Sequence, residues 1–238
     1  MTHHEVVKFS AGARWFHWVI TAAALALAIT GLFLYVPAFA GAAEGSYSRI
    51  IHRVAAVIFV AAPLLFFLSK PGGSLRFIKQ IFSWGKDDIA WLKAAPDYYF
   101  GGSEKNMPPQ PEMNSGQKLW GLVAFLSAVG FIITGIIMWF LKGTVSGEAF
   151  NWMVIVHDLC FIVGGAMLLV HLYLGAIHPR MTESLKSMLG GKVSVEYAKS
   201  HHGKWYNEIA KGAEVAKPAE VAEPAKVAEG TPSGQGEK

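Results

Sequence analysis

Four apolar runs, each long enough to cross a lipid bilayer, alternate along the chain with polar and basic connections. Trp15 to Ala43 holds no Lys, Arg, Asp or Glu, and it predicts a first helix over about 14–36 that breaks near Pro37. The second span is expected at about 48–68, with Pro63 as a tolerable kink. The third, about 119–141, is uncharged between Lys118 and Lys142. The fourth, about 152–177, carries Asp158 as its only formal charge and ends before Pro179. Within the 69–118 connection, Leu75, Ile78 and Phe82, then Ile89 and Leu92, recur at helical spacing among basic residues, so short helices on the membrane surface are expected. From Ala213 the chain reads AEVAKP-AEVAEP-AKVAEG, which has too few apolar residues for a core. The expected organisation is an N-terminal arm (1–13), a membrane domain (14–178), a C-terminal segment (179–211) and a disordered Ala/Pro/Glu/Lys tail (212–238).

Composition agrees with the pattern. Hydrophobic residues make up 53% of the chain and charged residues only 16%, against about 25% charged in soluble domains. Mean hydropathy is +0.34. The small-x-small triplet Ala38-Phe39-Ala40 raises a cleavable signal peptide. The preceding apolar run exceeds the usual 7–15 residues, roughly, of such a core, so a retained helix is expected. A single cysteine, Cys160, excludes a disulfide framework or an iron–sulfur or structural zinc site built within this chain. The net charge of +4 does not point to nucleic acid, because the basic residues are sorted by loop. Lys70, Arg76, Lys79, Lys86, Lys93, Lys105 and Lys118 fill the middle connection, whereas the two short connections hold only Arg49 and Lys142. The positive-inside rule then places both termini and the middle connection in the cytoplasm. The expected fold class is an all-α membrane protein, a four-helix bundle, N-in and C-in.

The candidate chemistry lies in the histidines, which are costly in a bilayer. His157 and His171 are 14 residues apart, about 21 Å along one helix and about 40° short of four full turns, so both leave the same face. Gly164 lies midway between them. Given the topology, His17 shares the depth of His171, and His52 that of His157. Two imidazoles from different helices at equal depth are what a bis-histidine haem b requires, and the sequence supplies this twice. Gly31, Gly130 and Gly135 could make room for a macrocycle. Arg14 and Arg53 lie near the ligand candidates and could pair with propionates, although Arg14 serves equally as a positive-inside anchor. The alternatives are histidines hydrogen-bonded to neighbouring helices, or a histidine-lined metal transporter. For zinc transport, carboxylates are expected beside the imidazoles, and only Asp158 is available. His3 and His4 fall in the arm, and His178 at the membrane edge has no depth-matched partner. His201 and His202 read as surface or subunit contacts.

Over roughly residues 8–207 the chain resembles the cytochrome b (gamma) subunits of membrane-bound respiratory formate dehydrogenases. The resemblance rests on Arg14-x-x-His17, on His52 opening the second span, and on Asn114-Ser115-Gly116-Gln117-Lys118 entering the third. It continues through His157-x13-His171 to a closing His201-His202-x-x-Trp205-Tyr206. Ser115, where Ala is the commoner residue, and the terminal tail depart from the pattern. The wider family includes nickel–iron hydrogenase cytochromes b. The resemblance implies two b haems, a quinone site (menaquinone or ubiquinone) at Asn114, Gly116 and Gln117, and a bacterial inner membrane. It further implies an iron–sulfur (beta) partner and a molybdenum- or tungsten-containing catalytic (alpha) partner that oxidises formate. Electrons would enter on the external side and reach quinone on the cytoplasmic side. Read from the residues alone, Asn114 is equally a cap of the third helix.

Overall fold

The computed structural model describes residues 4–39, 41, 47–102 and 106–215, with side chains to 211. The hexad tail beyond 215, His3 and Ala40 lie outside the described residues. Among those described, four helices are long and apolar enough to cross a membrane. They are α1 (Ala11–Tyr35), α2 (Tyr47–Ser69), α5 (Ser115–Phe140) and α6 (Gly147–Leu172), the last extended by a π-helical turn over Tyr173–Ile177. Each of α1, α5 and α6 begins earlier than hydropathy alone indicates, because a polar N-cap precedes the apolar run. Ser10 Oγ accepts from the Ala13 amide and Ser146 Oγ from the Ala149 amide.

The helices pair as two antiparallel hairpins, α1 with α2 and α5 with α6, which meet each other more narrowly along α1 and α6. Glycine sets the close approach within the second hairpin. A Cβ on Gly130 would lie 2.5 Å from Cys160 Sγ, and one on Gly164 would lie 3.2 Å from Ser127 Oγ. These two glycines therefore serve helix packing. Outward faces are apolar, with Trp15, Leu65 and Leu68 among the exposed residues, which suits lipid rather than water.

The first and last described residues and the α2–α5 connection gather at one end of the bundle, here the terminal end; the other is the hairpin end. The connection forms two helices, α3 (Pro71–Phe82) and α4 (Lys86–Pro96), then a π-helical turn over Asp97–Gly101. Leu75 and Phe82 stay exposed on α3 while Ile81 is fully buried against Gly121 of α5. After the fourth span come α7 (Thr182–Gly190), α8 (Val195–His201) and α9 (Gly203–Val215), so helix continues four residues into the segment expected to be tail. The N-terminal arm is not loose. Its strand β1 (Glu5–Val7) pairs antiparallel with β2 (Lys192–Ser194), with Val6 opposite Val193. Gly191 joins α7 to β2 at φ +87°, and a Cβ there would lie 2.8 Å from the Phe9 carbonyl oxygen, so only glycine suits the turn.

Val193, Tyr197, Ala198 and Trp205 form a small core in this cap, with Val6, Tyr206 and Ile209 packed on it. His202 is 1% exposed within it, not on the surface as the sequence suggested. Its Nδ1–H donates to the Pro111 carbonyl (2.9 Å), and its Nε2 accepts from the buried Lys8 ammonium. Tyr197, Trp205 and the arm enclose the ring, an arrangement made by residues far apart in sequence. Burial lowers the Lys8 pKa to about 7 against the pull of Glu112, and lowers that of His202 to about 3.

Candidate functional site

The four membrane histidines meet in two facing pairs. Near the hairpin end, His52 of α2 faces His157 of α6; toward the terminal end, His17 of α1 faces His171 of α6. In both pairs the ring centres are 6.4 Å apart. An iron bonded to one nitrogen of each ring at about 2.0 Å, with each ring centre about 1.1 Å further on, sets the centres about 6.2 Å apart. Both gaps fit a bis-imidazole metal.

In the hairpin-end pair each imidazole is oriented by a threonine on the preceding helix. Thr30 Oγ–H donates to the Ala26 carbonyl (2.6 Å), so its oxygen receives the His52 Nδ1–H at 2.9 Å. Thr134 repeats this, donating to the Gly130 carbonyl (2.6 Å) and receiving the His157 Nδ1–H at 2.8 Å. With Nδ1 protonated, each Nε2 keeps its lone pair for a metal. The residue after each threonine is glycine, and it lies against the same ring: a Cβ would be 3.5 Å from His52 Cε1 at Gly31 and 4.0 Å from His157 Cε1 at Gly135. The sequence carried a signal for this, an Ile-Thr-Gly triplet at 29–31 and again at 133–135, which was missed.

The terminal-end pair is held differently. The Trp120 indole stacks on His171 (centres 4.9 Å apart, 12° between planes), and Trp18 meets His17 edge-on at 5.1 Å. His17 Nδ1 is buried with no hydrogen-bond partner among the described residues. The same is true of Arg14 Nε, one turn earlier on α1. The Arg14 Nη1 group donates to the Leu189 carbonyl, and Trp18 Nε1–H donates to that of Met188 (3.1 Å), tying α1 to α7. The orphaned His17 Nδ1 lies within a facing pair and suits a bound group with an acceptor oxygen, whereas Arg14 Nε lies beside Gly191 at the cap. Arg53, at the hairpin end, lies over the Trp139 ring at 5.3 Å.

These pairs fall inside a recognised sequence profile. The profile of the prokaryotic cytochrome b561 family matches residues 8–191. The chain belongs to that family. As a member, it is a multi-pass membrane protein with haem b as its prosthetic group. It is similar to the cytochrome b556(Fdn) subunit of the nitrate-inducible formate dehydrogenase of Escherichia coli K12, 27% identical over 206 residues covering 82% of this chain and 87% of that one. A formate dehydrogenase cytochrome b556 subunit of Haemophilus influenzae is 26% identical over 210 residues, covering 86% and 83%. The cytochrome b556(fdo) subunit of the E. coli enzyme is 24% identical over 217 residues, covering 88% and 95%.

In this cytochrome the residues expected to bind quinone enter α5 as its cap. Asn114 Oδ1 accepts from the Gln117 amide (2.8 Å), and Gln117 Oε1 accepts from the Asn114 amide (2.9 Å). Each amide side chain retains its NH2 group. Gly116 does not open onto space: a Cβ there would lie 2.9 Å from Trp91 of α4. Beside this cap is a pocket of ≈ 110 Å³ lined by Trp91, Tyr98, Tyr99, Asn114, Ser200 and His201, among others. Gly116 and Trp120 share a face of α5, and Trp91, which packs on Gly116, lines the pocket. Under the cap, Lys118 Nζ donates to Asp88 Oδ1 (2.8 Å), which also accepts from Ser115 Oγ (2.7 Å). Burial opposes charge on Asp88, but the bonds from Lys118 and Ser115 outweigh it and hold its pKa below the usual range. Ser115, the departure noted in the sequence, is thus fully buried.

Proposed function

We propose that the chain is the membrane-anchor cytochrome b subunit of a respiratory formate dehydrogenase complex. It carries electrons from an iron–sulfur partner on the external side to quinone on the cytoplasmic side. The observation that carries this reading is the equal 6.4 Å spacing of two histidine pairs at two depths of one bundle. His52 and His157 ligate one haem b and His17 and His171 the other, and each haem supplies a reversible one-electron carrier. Thr30 and Thr134 fix the tautomer of the first pair, and Trp120 fixes the ring orientation of His171. Arg14 and Arg53 serve the propionates, a role the orphaned Arg14 Nε supports.

Quinone sits in the pocket beside Asn114, with Gln117 holding Asn114 in the cap and Gly116 letting Trp91 of the pocket wall pack against α5, and takes two electrons and two protons at the terminal end. That end faces the cytoplasm by the distribution of Lys and Arg. The similar proteins above are all formate dehydrogenase cytochromes b556, which favours a formate dehydrogenase partner over a hydrogenase. Formate oxidation itself belongs to a molybdenum- or tungsten-containing subunit. The metal-transport alternative finds no support in the side chains: no group of three or more His, Cys, Asp or Glu able to hold an ion occurs among the described residues.

The test is a reduced-minus-oxidised spectrum of the detergent-purified protein, with haem counted per chain by pyridine haemochrome. Two haems per chain are expected, falling to one in His52→Ala and in His171→Ala. A wild-type protein with fewer than two haems sinks the pairing.

A further inference from the structure

One wall of the pocket beside Asn114 is a stretch of chain with no regular structure of its own. Met107, Pro108, Gln110 and Asn114 line the pocket, and they belong to the segment 106–114 that leads into α5. Pro108, Pro109 and Pro111 have no amide hydrogen to give. Among the described residues, no backbone–backbone hydrogen bond joins one part of this segment to another. Its place is therefore set from outside. The Lys204 amide donates to the Gln110 carbonyl (3.0 Å), and the Ser115 amide donates to Gln110 Oε1 (2.9 Å). The Pro111 carbonyl accepts from His202 Nδ1–H (2.9 Å), a bond that spans 91 positions of sequence.

His202 is itself fixed from a third part of the chain. Its Nε2 accepts from the Lys8 ammonium, so the single hydrogen of the neutral ring stays on Nδ1, facing Pro111. Lys8 follows β1, and its amide donates to the Gly191 carbonyl (2.8 Å). Its ammonium lies 6.0 Å from the ring centre of Tyr197 and 5.8 Å from that of Trp205, inside the cap core. The N-terminal arm thus sets the tautomer of His202, and His202 sets the Pro111 carbonyl. We infer that His202 is a positioning residue for quinone: locked by Lys8, it pins Pro111 and so holds Gln110 and the chain leading to Asn114 in place as the pocket wall. The inference rests on the quinone reading above.

The two nitrogens of His202 do separate things, which sets this role apart from packing. Nε2 serves the cap, through Lys8. Nδ1 serves the pocket, through a carbonyl of a segment that three prolines leave with few bonds of its own. A histidine that only filled the cap core would affect stability and leave quinone affinity alone. His202 is not among the residues lining the pocket, so it acts on quinone only through the wall.

The experiment uses the intact complex and two substitutions that divide the ring. In His202→Asn the amide nitrogen takes the place of Nδ1, so the bond to Pro111 is kept and the one from Lys8 is lost. In His202→Gln the amide oxygen takes the place of Nε2, so Lys8 keeps its acceptor and Pro111 loses its donor. KM is read from reoxidation of the dithionite-reduced cytochrome by decylubiquinone, and Kd from fluorescence quenching of 2-heptyl-4-hydroxyquinoline N-oxide. Haem per chain controls for assembly. His202→Gln should raise KM and Kd about 10-fold, the scale of one lost hydrogen bond, with kcat within about twofold. His202→Asn should hold KM and Kd within about twofold of wild type. Equal effects of the two substitutions, or wild-type values in both, overturn the inference and leave the quinone site standing. Should either variant lose haem, Lys8→Met decides: it frees the tautomer and should raise KM about threefold at full haem content, and an unchanged KM overturns the inference. Inhibitor that does not bind the wild-type complex, or that binds Asn114→Ala unchanged, overturns the quinone reading and the inference with it.

Discussion

The two histidine pairs share one spacing and almost nothing else. At the hairpin end the imidazoles are held by hydrogen bonds, each Nδ1–H running through a threonine hydroxyl to a helix carbonyl. At the terminal end they are held by ring packing on Trp120 and Trp18, and His17 Nδ1 has no partner among the described residues. A ligand hydrogen-bonded at its far nitrogen is more basic and keeps one tautomer. A stacked ligand is oriented but electronically unassisted. The difference suits the positions. The hairpin-end pair sits between apolar helices, and its second contacts come from threonines within the spans. The terminal-end pair lies beside a cap that anchors its helix through Arg14 and Trp18.

The sharpest way to break the comparison is to remove one ligand from each site. His52→Ala and His171→Ala should each retain one haem by pyridine haemochrome, and only His171→Ala should abolish reoxidation by quinone while the other haem still reduces. Next in size is the buried ion pair under the terminal-end site. Lys118→Met leaves Asp88 charged and uncompensated, which should cost roughly 3–5 kcal/mol locally. The first turn of α5 should then lose its protection from hydrogen exchange, with the hairpin-end haem unaffected.

Thr30→Val and Thr134→Val test the hydrogen-bond half of the comparison. Each should weaken haem retention at the hairpin end by about 10-fold or more and raise that haem's potential, as a less basic imidazole favours the ferric state less. Redox titration should find the other haem unmoved. Trp120→Leu should do the converse. Helix approach gives a smaller, purely steric contrast. Gly130→Ala drives a methyl to 2.5 Å from Cys160 Sγ and should lower stability by about 1–3 kcal/mol. Gly135→Ala, whose methyl would sit 4.0 Å from the His157 ring, should melt close to wild type in detergent.

The smallest effect expected is one of pH, confined to the cap. His202 titrates at about 3 in the fold against an ordinary 6.5, so the folded cap binds fewer protons than the unfolded chain below neutrality. Its stabilisation is complete above pH 6.5 and is lost progressively as the pH falls toward 3. Lys8, lowered from 10.5 to about 7, has the same sign, and its contribution grows as the pH rises from 7 to 10.5. Acidification should therefore release the amides of the β1–β2 ladder to hydrogen exchange before those of the spans. His202→Gln should flatten the acid limb of that dependence.

Much of this protein was legible in order, because a bilayer imposes a length and a composition on whatever crosses it. The four spans, the helices of the middle connection and the depth of each histidine follow from runs of apolar residues and a 1.5 Å rise. The cap was not legible. Lys8, Gln110, Asp88 and His202 are polar residues in polar stretches, and nothing local marks them for burial; they are buried because β1, the α4–α5 connection and α8 converge. For the same reason nothing local marks His202 for the core, since its partners Lys8 and Pro111 are far from it in sequence. Asn114 and Gln117 were open to two readings, and the fold uses their oxygens in the helix cap while Asn114 also lines the pocket. By itself, then, the sequence determined the helices, their order and which histidines share a level, all set by local periodicity and transfer to lipid. Only the tertiary structure decided which rings face each other at 6.4 Å, what holds them, and which buried polar groups meet beneath the third span. Those depend on contacts between residues that sequence distance does not relate.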